Sequence, residues 1–365
     1  MIRLVKFFAA IAVACLVAIF LMLKDSNTGA KVNDSPMRIA VVMTGPRLDH
    51  SWNESHYIAL EKVSRELNLE IAYYDNVPTN SMAEEIMERA IANGAQIVIA
   101  NSFGFGDAVA RVAHRHPETK FFHATGERVY PNVLTFMGRI YQMWYLSGIV
   151  AGLMTKNNRV GYLASMNISE VNRGINAFTL GVRKVNPEAN VYVSWSGSWF
   201  DENMAATATQ YLVDTCKVDV FSVKADVNRP YEMAEEKGVW IIGCNLDNSQ
   251  RYLESFLTAP IWHWENFYRK KINEVKQNKF VARSEWLGIE SGIMDLAPMA
   301  AAVSDSVRQI VESEWHRLEE RTFDVFYGPI EDNHGRIHVG PGESMTDEEM
   351  QHRFNWYVKG VVDGL

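Results

Sequence analysis

The chain has 365 residues, of which 47 % are hydrophobic, and its formal net charge is −8. This length provides enough material for two domains with substantial cores. The acidic balance leaves no broad basic surface, so nucleic acid is not an expected partner. Three cysteines are too few for a disulfide scaffold.

The first 36 residues predict an export segment followed by a polar linker. Arg3 and Lys6 precede an apolar run at 7–23, and a polar stretch follows at 24–35. This order is typical of an export signal that is either cleaved or kept as a membrane anchor.

Two processing alternatives stay open within this leader. Residues 12–15 read Ala-Val-Ala-Cys and resemble a bacterial lipoprotein box, in which Cys15 would be acylated. Residues 28–30 read Thr-Gly-Ala and offer a small-residue cleavage site instead. In each case we expect the mature protein to work outside the cytoplasm, in the periplasm or on the outer face of the cell membrane.

Residues 37–155 predict a first α/β lobe, because short apolar runs alternate with helical patterns at the intervals of βαβ units. The helical pattern at 139–155 is apolar on all sides, which indicates a buried helix. The predicted strands lie near 38–43, 69–74, 96–100, 119–123 and 133–137, and the helices near 53–67, 81–93, 105–115 and 139–155.

Residues 156–258 repeat this alternation and predict a second, similar lobe with a cleft between the two. Its strands are expected near 159–164, 190–195, 219–223 and 239–243, and its helices near 170–185, 201–214 and 229–237. Cys216 and Cys244 fall at opposite edges of the expected parallel sheet, so a disulfide between them is not expected.

Residues 259–365 are expected to cross between the lobes, complete both of them and form the hinge. Helical patterns lie near 261–278, 297–313 and 346–358, and short extended segments lie at 286–289 and 323–327. The predicted fold class is therefore α/β, with two Rossmann-like lobes built on parallel sheets.

Ligand contacts in such a fold come from the loops after the strands. Two tryptophans, one from each lobe, could clamp a planar ring, since stacking favours aromatic side chains around a flat ligand. Carboxylates and amides in the same loops could supply hydrogen bonds. The candidate ligand-binding residues are Asp49, Trp52, Asn101, Ser102, Phe103, Glu170, Trp199, Asp226 and Asp247.

Structural roles compete with binding at several of these positions. Trp52 and Trp199 could pack a helix onto its sheet, and Asp49 could cap the first helix. Glu170 lies at the start of a predicted helix, where its negative charge could interact favourably with the helix dipole. Asp201 is expected to be a helix cap, and His56 a satisfied surface or lobe-contact histidine. In the Phe-Gly-Phe-Gly turn at 103–106, one ring is expected in the core and the other in the cleft.

Catalytic, cofactor and metal motifs are absent from the sequence. There is no GxSxG, no phosphate-binding Gly-Lys-Ser/Thr loop, no HExxH and no CxxC. We therefore expect neither catalysis nor a cofactor nor a metal site.

Several segments of the chain resemble the basic membrane protein (BMP) family, whose members are substrate-binding proteins of bacterial ABC transporters. The resemblance covers about residue 38 to the C-terminus. It implies a periplasmic-binding-protein-like (type I) fold that closes on a ligand in the cleft. The segments are Asp-His-Ser-Trp-Asn at 49–53, Tyr-Leu-Ser-Gly-Ile-Val-Ala-Gly-Leu-Met-Thr-Lys at 145–156, Gly-Ile-Asn-Ala-Phe-Thr-Leu-Gly at 174–181, Trp-Phe-Asp at 199–201, Gly-Pro-Ile at 328–330 and Trp-Tyr-Val-Lys-Gly-Val at 356–361.

Within the family, the chain is more similar to a branch with Trp in the first loop than to the nucleoside-receptor branch, which has Phe there. In the nucleoside branch an Asp at the end of the first strand reads the purine, and Met43 takes that position here. The Trp branch usually reads Gln-His-Thr-Asp in a loop of the second lobe, whereas residues 223–226 read Val-Lys-Ala-Asp. That branch usually has Asp-Met in the later loop, where this chain has Asp247 and Asn248.

The resemblance implies a receptor that captures a purine base or nucleoside, adenine-like or adenosine-like, and hands it to an ABC permease. We expect a monomer. A membrane-anchored sensory ectodomain is the alternative if the leader is retained. A nucleoside-processing enzyme on the same scaffold is a further alternative.

Overall fold

Two parallel six-stranded sheets organise the fold, and each carries one lobe of the protein. The computed structural model describes residues 35–363. The predicted export segment and Cys15 lie outside the described residues. No helix within the described part of the chain combines the length and the apolarity needed to cross a bilayer.

The first lobe begins with five strands and four helices, which alternate except that the fourth strand is followed directly by the fifth. Residues 39–42 of its first strand are fully buried, as expected where helices cover both faces of a parallel sheet. The strands are β1 (Met37–Val42), β2 (Leu69–Tyr74), β3 (Ile97–Ala100), β4 (Lys120–Ala124) and β5 (Val133–Gly138), and the helices are α1 (Trp52–Leu67), α2 (Ser81–Ala92), α3 (Gly106–Arg115) and α4 (Tyr141–Met154).

The second lobe repeats the pattern over residues 159–258. A π-helical turn at Tyr211–Thr215 extends its second helix. The strands are β6 (Arg159–Ala164), β7 (Asn190–Trp195), β8 (Val220–Lys224), β9 (Trp240–Ile242) and β10 (Phe256–Thr258), and the helices are α5 (Ser169–Val185), α6 (Glu202–Gln210) and α7 (Arg229–Lys237).

The remaining segment supplies one further strand to each sheet. The first sheet has the order β12-β5-β4-β3-β1-β2, and the second has the order β10-β9-β8-β6-β7-β16. The elements of this segment are β11 (Pro260–Trp262), α8 (Trp264–Lys276), β12 (Ser284–Leu287), β13 (Met294–Leu296), α9 (Asp305–Glu319), β14 (Ile330–Glu331), β15 (Ile337–Val339), α10 (Asp347–His352) and β16 (Val361–Asp363).

The chain passes between the two sheets three times within residues 35–363: between β5 and β6, between β10 and β12, and between β12 and β16. β11 and β13 lie on the second and third of these passages and pair antiparallel. Multiple crossings of this kind form the hinge of a two-lobe protein. The predicted α/β class and two-lobe architecture are confirmed.

The uniformly apolar helix α4 is buried along its length, as predicted, because it packs on α5 of the other lobe. The two backbones approach closely. A Cβ atom on Gly148 would lie 2.1 Å from the carbonyl oxygen of Phe178, and one on Gly181 would lie 2.0 Å from that of Tyr145. The two glycine-containing segments at 145–156 and 174–181 therefore face each other, and only glycine fits at these two positions.

Three expectations for the last segment were wrong in detail. The helix predicted at 297–313 begins at Asp305, because residues 297 and 300 donate their backbone N–H groups to the hinge carbonyls of Ala259 and Leu257. The helix predicted at 346–358 ends at His352. The segment at 323–327 forms a turn in place of an extended strand. Hydrogen bonds to distant residues fixed these segments, and no local pattern records such bonds.

Cys216 and Cys244 are both free and buried, in agreement with the prediction that they do not form a disulfide.

Candidate ligand-binding cleft

A cavity of about 970 Å³ lies between the lobes, with both contributing to its lining. Its walls include the loops that follow the carboxyl ends of β1, β3, β4, β8 and β9, which is where parallel sheets place ligands. This volume lies within the usual range for small-molecule sites. Seven of the nine residues predicted from sequence line it: Trp52, Asn101, Ser102, Phe103, Glu170, Trp199 and Asp226.

The other two predicted residues, Asp49 and Asp247, do not line the cavity. The carboxylate of Asp49 accepts hydrogen bonds from the backbone N–H groups of Ser51, Asn53 and Glu54, so it caps the start of α1. Asp247 is exposed and accepts from the backbone N–H of Ser249 in its own turn. Short-range bonds to the backbone hold both side chains outside the cavity.

Trp52 packs against the core and also lines the cavity. Its indole N–H donates to the carbonyl of Asn101 at 2.7 Å. Its ring meets the rings of His56, Trp262 and Trp264 edge-on, with centroids 4.5, 5.9 and 5.8 Å away. The packing role and the cleft role considered for Trp52 therefore coexist, and the packing fixes the ring in the wall.

His56 is fully buried, so the expectation of a surface or lobe-contact histidine was wrong. Its ring stacks on Trp264 with a centroid distance of 4.9 Å, and Nδ1 lies 2.7 Å from the hydroxyl of Tyr268. Burial lowers the pKa of His56 to about 3, so the ring is neutral at physiological pH.

The turn at 103–106 separates its two phenylalanines as predicted. Phe105 is fully buried in the core of the first lobe, whereas Phe103 is 60 % exposed and lines the cavity. Asp201, expected to be a cap, does accept the backbone N–H groups of Asn203 and Met204 at the start of α6.

A hydrogen-bonded bridge joins the lobes at the back of the cleft. Ser51 Oγ of the first lobe donates to Asp226 Oδ1 of the second at 2.6 Å. Asn245 Nδ2 donates to both of these atoms at 3.0 Å, and Asn245 Oδ1 accepts from Trp262 Nε1 at 2.9 Å. Asn248 Nδ2 donates to the carbonyl of His50 at 3.1 Å. The lobes are thus in direct contact across the cleft.

Burial, followed by the negative charge of Asp49, raises the pKa of Asp226 to about 6, against the lowering effect of the Ser51 hydrogen bond. The carboxylate is therefore mainly ionised at neutral pH and able to accept hydrogen bonds in the cavity. Cys244 lies beside it, with Sγ 3.8 Å from Ser51 Oγ. Burial and the charge of Asp226 raise the pKa of this thiol to about 12, so it is not a thiolate at neutral pH.

Glu170 forms an ion pair inside the second-lobe wall. Its Oε1 lies 3.1 Å from Nζ of Lys224, a side chain that is only 6 % exposed. Burial raises the pKa of Glu170, but the charges of Lys224 and Arg173 outweigh it and hold the pKa below its usual value. The ammonium of Lys224 also lies 5.5 Å from the ring centroid of Trp199. Lys224 therefore interacts with two other residues of the cavity lining, Glu170 and Trp199.

Several lining residues escaped the sequence-based prediction, among them Lys224, Arg173, Trp286 and Phe354. Lys224 is the last residue of β8 and Arg173 lies near the start of α5, so the signal for both was their position at or soon after the carboxyl end of a strand. Trp286 follows from the placement of β12 at the edge of the first sheet, beside β5. Arg173 lies over its ring at 5.0 Å. No local pattern distinguishes such contributions.

Within residues 35–363, no group of three or more His, Cys, Asp and Glu side chains is arranged to hold a metal ion. The cleft instead offers aromatic surface, amide groups and a small set of charges. Such an arrangement binds a small organic molecule by burial and directional hydrogen bonds.

Two parallel-sheet lobes that enclose a cleft form the periplasmic-binding-protein-like fold. A solved ABC-transporter solute-binding protein from Conexibacter woesei has this fold, with a TM-score of 0.68 and 19 % identity over 79 % of this chain and 98 % of that one. The chain belongs to the Bmp family, described as PnrA-like ABC transporter substrate-binding proteins, whose pattern matches residues 37–322. Proteins of this class bind a small molecule and work with an ABC permease.

Two relatives match most of the chain. A purine-binding protein of Brucella abortus is 29 % identical over 92 % of this chain and 96 % of its own length. A Haloferax volcanii protein described as an ABC transporter glucose-binding protein is 32 % identical over 86 % of this chain and 77 % of its own length. The family of this chain is therefore established, and the two relatives are described as binding different ligands.

Proposed function

We propose that this protein captures a purine base or nucleoside in the cleft outside the cytoplasm and delivers it to an ABC permease. The observation that carries the proposal is the presence of three aromatic rings and a half-buried carboxylate in the lining of one cavity: Trp52, Phe103, Trp199 and Asp226. Flat heterocycles gain burial and stacking from such rings, and their N–H groups need an acceptor. The Brucella relative supports the same ligand class.

In this proposal the two lobes make different contacts with the same ligand. Trp52 and Phe103 bury the flat face of the ligand from the first lobe, and Asn101 and Ser102 orient it. Trp199 and Asp226 act from the second lobe, with the carboxylate accepting a ring or exocyclic N–H. A ligand that lacks that N–H would forgo this charge-assisted hydrogen bond, and the lost bond gives selectivity.

Closure of the lobes accompanies capture. The bridge from Ser51 to Asp226 and Asn245 joins the lobes at the floor of the cavity. Ligand contacts on both walls add to this bridge and favour the closed state. The proposal includes a monomeric receptor that is exported by its leader and tethered or released.

Transport, and not chemistry, is the role proposed for the cleft. Cys244 is protonated at neutral pH because burial raises its pKa to about 12, and it does not line the cavity. Incubation with inosine or adenosine should therefore release no free base. Release of base at a rate above that of a buffer blank would favour the enzyme alternative.

The test is to identify the ligand that the protein carries. Mass spectrometry of small molecules released from the purified protein should detect a purine. Thermal shift against adenine, guanine, hypoxanthine, adenosine, inosine and guanosine should then raise the melting temperature with at least one of them. Glucose is the matched competitor, because the Haloferax relative is described as binding it. A shift with glucose and with no purine would overturn the proposal.

A further inference from the structure

Lys224 is the least expected charge in the cavity wall. It ends β8, and its backbone is fixed by pairing with Ala164 of β6. The residue is only 5 % exposed, yet it lines the cavity. Burying an ammonium group costs free energy unless the charge is paired. A buried lysine in a ligand site is therefore a candidate for a binding role.

The pairing with Glu170 keeps Lys224 charged without using all its donors. Burial lowers the pKa of Lys224, but the charge of Glu170 and those nearby outweigh it and hold the pKa above its usual value. An ammonium has three N–H donors, and the Glu170 contact at 3.1 Å accounts for one. An ammonium accepts nothing, so a ligand group beside it must be an acceptor.

The buried side-chain amides of the wall are largely engaged, and the other lining amides, Asn167, Gln351 and Asn355, are exposed. Asn245 uses its amide nitrogen on Ser51 and Asp226 and its amide oxygen on Trp262. Asn172 uses both ends on protein partners, and the amide nitrogen of Asn101 donates to Asn53. Asn245 and Asn172 therefore cannot offer a donor and an acceptor together, which is how an amide reads the amino edge of adenine. Asn101 keeps a free Oδ1 acceptor, but the residue is fully buried.

A cationic side chain reads a different purine edge. Lys and Arg pair with the adjacent O6 and N7 acceptors of a 6-oxopurine, whereas a 6-aminopurine places a donor beside N7. We propose that Lys224 is a specificity-determining residue that donates to the O6/N7 edge of the ligand, so the cleft selects 6-oxopurine bases or nucleosides over 6-aminopurines. This inference rests on the proposed purine function and replaces the adenine-like expectation.

The charges facing Lys224 are consistent with that assignment. Glu170 and Arg173 come from α5, and Asp226 lies two residues after Lys224, just beyond the end of β8. Asp226 interacts with Lys224 electrostatically, so an acceptor and a donor stand near each other in one wall. A lactam edge, with a carbonyl beside an N–H, complements such a pair.

The experiment compares hypoxanthine with adenine, and inosine with adenosine, by isothermal titration calorimetry on protein freed of ligand by unfolding and refolding. The wild type should bind the oxo member about tenfold more tightly or better, as expected for one charge-assisted hydrogen bond. The double variant Lys224→Met with Glu170→Gln removes both charges of the ion pair, so no buried carboxylate is left without its partner. Its preference ratio should fall to near one.

The outcomes separate this inference from the proposed function. If purines bind but adenine equals or exceeds hypoxanthine, or if a folded double variant keeps the wild-type ratio, the role of Lys224 is wrong while the purine receptor stands. If no purine binds the wild type, both are wrong. Should the double variant fail to fold, 7-deazahypoxanthine decides with the wild type alone. Loss of the N7 acceptor should weaken its binding relative to hypoxanthine, and equal binding would refute the contact.

Discussion

The two walls of the cleft differ in chemistry. The first-lobe wall presents Trp52, Phe103 and the amide of Asn101, and its acidic members stand at the rim or are neutralised. Glu127 is exposed, and Glu285 is paired with Lys271 and Arg283. The second-lobe wall carries Glu170, Arg173, Lys224 and Asp226. The comparison teaches that one lobe supplies a flat apolar surface, whereas the other supplies the charges that can discriminate between ligands.

The two aspartates at the lobe contact illustrate the difference. Asp49 in the first lobe accepts three backbone N–H groups and the side-chain amide of Asn53. Its carboxylate is therefore used in capping the start of α1. Asp226 in the second lobe accepts from Ser51 and Asn245 on one oxygen, Oδ1. It also accepts the backbone N–H of Trp52, so all three of these partners lie where the lobes meet, while the residue itself lines the cavity.

The largest effect is expected from removing the charge of Asp226. Asp226→Asn should weaken purine binding by about 10- to 100-fold, the range for a lost charge-assisted hydrogen bond. Calorimetry measures the affinity. Ser51→Ala is the matched control, because it breaks the bridge between the lobes and leaves the carboxylate in place. An equal loss in Ser51→Ala would assign the effect to closure of the lobes.

Trp52→Ala should weaken binding by more than about tenfold, because it removes the aromatic surface of the first-lobe wall. The variant should still fold, which circular dichroism can verify, although the cluster with Trp262 and Trp264 loses a member. Trp52→Phe keeps a ring and should retain most of the affinity. Unchanged affinity in Trp52→Ala would leave the residue a packing role only.

Acidification should weaken binding through the same second-lobe carboxylate. The pKa of Asp226 is raised to about 6 by burial and by Asp49, so the group is ionised above that pH and protonated below it. Only the ionised carboxylate of Asp226 can accept this hydrogen bond from the ligand. One pH unit below the pKa, about a tenth of the protein molecules have the group ionised, so the measured affinity falls about tenfold. Affinity measured from pH 8 to pH 5 should therefore fall near pH 6. Asp226→Asn should show no such step, and a step that persists there would exclude Asp226 as its source.

Asp49→Ala should act mainly on stability, in contrast to Asp226→Asn. Loss of the helix cap should lower the free energy of unfolding by about 1 kcal/mol. Ligand affinity at pH 8 should change by less than about threefold, since Asp49 does not line the cavity. Denaturant unfolding and calorimetry together test the split. A large loss of affinity with unchanged stability would return Asp49 to the binding residues.

The smallest effect is expected at Asp247. The side chain is exposed and accepts the backbone N–H of Ser249 in its own turn. Asp247→Ala should therefore change affinity by less than about twofold and stability by less than about 0.5 kcal/mol. A tenfold loss of affinity would mean that this loop moves into the cleft on binding.

Sequence reasoning recovered what depends on position relative to a strand end. Trp52, Asn101 and Asp226 line the cavity because they follow parallel strands, and the alternation of strands and helices is visible in hydrophobic periodicity. The same rule admitted Asp49 and Asp247, since it places the loop and not the side chain. Their orientation depends on bonds to the adjacent backbone, which compete with any ligand.

The contributions that the sequence did not predict come from distant parts of the chain. Trp286 reaches the cavity because β12 joins the edge of the first sheet after two passages between the lobes. Phe354 reaches it because α10 ends early. The Lys224 and Glu170 pair joins the end of one strand to the start of a helix more than fifty residues earlier in the chain. Only tertiary packing brings such groups together.

The position of Trp262 gives the protein an intrinsic optical signal. Its indole N–H donates to Asn245, which also bonds Ser51 and Asp226 where the lobes meet. Tryptophan emission depends on hydrogen bonding and on the polarity around the ring. We expect separation of the lobes to expose this contact to water and to alter the light emitted by Trp262, so that ligand capture should be measurable by fluorescence without a label.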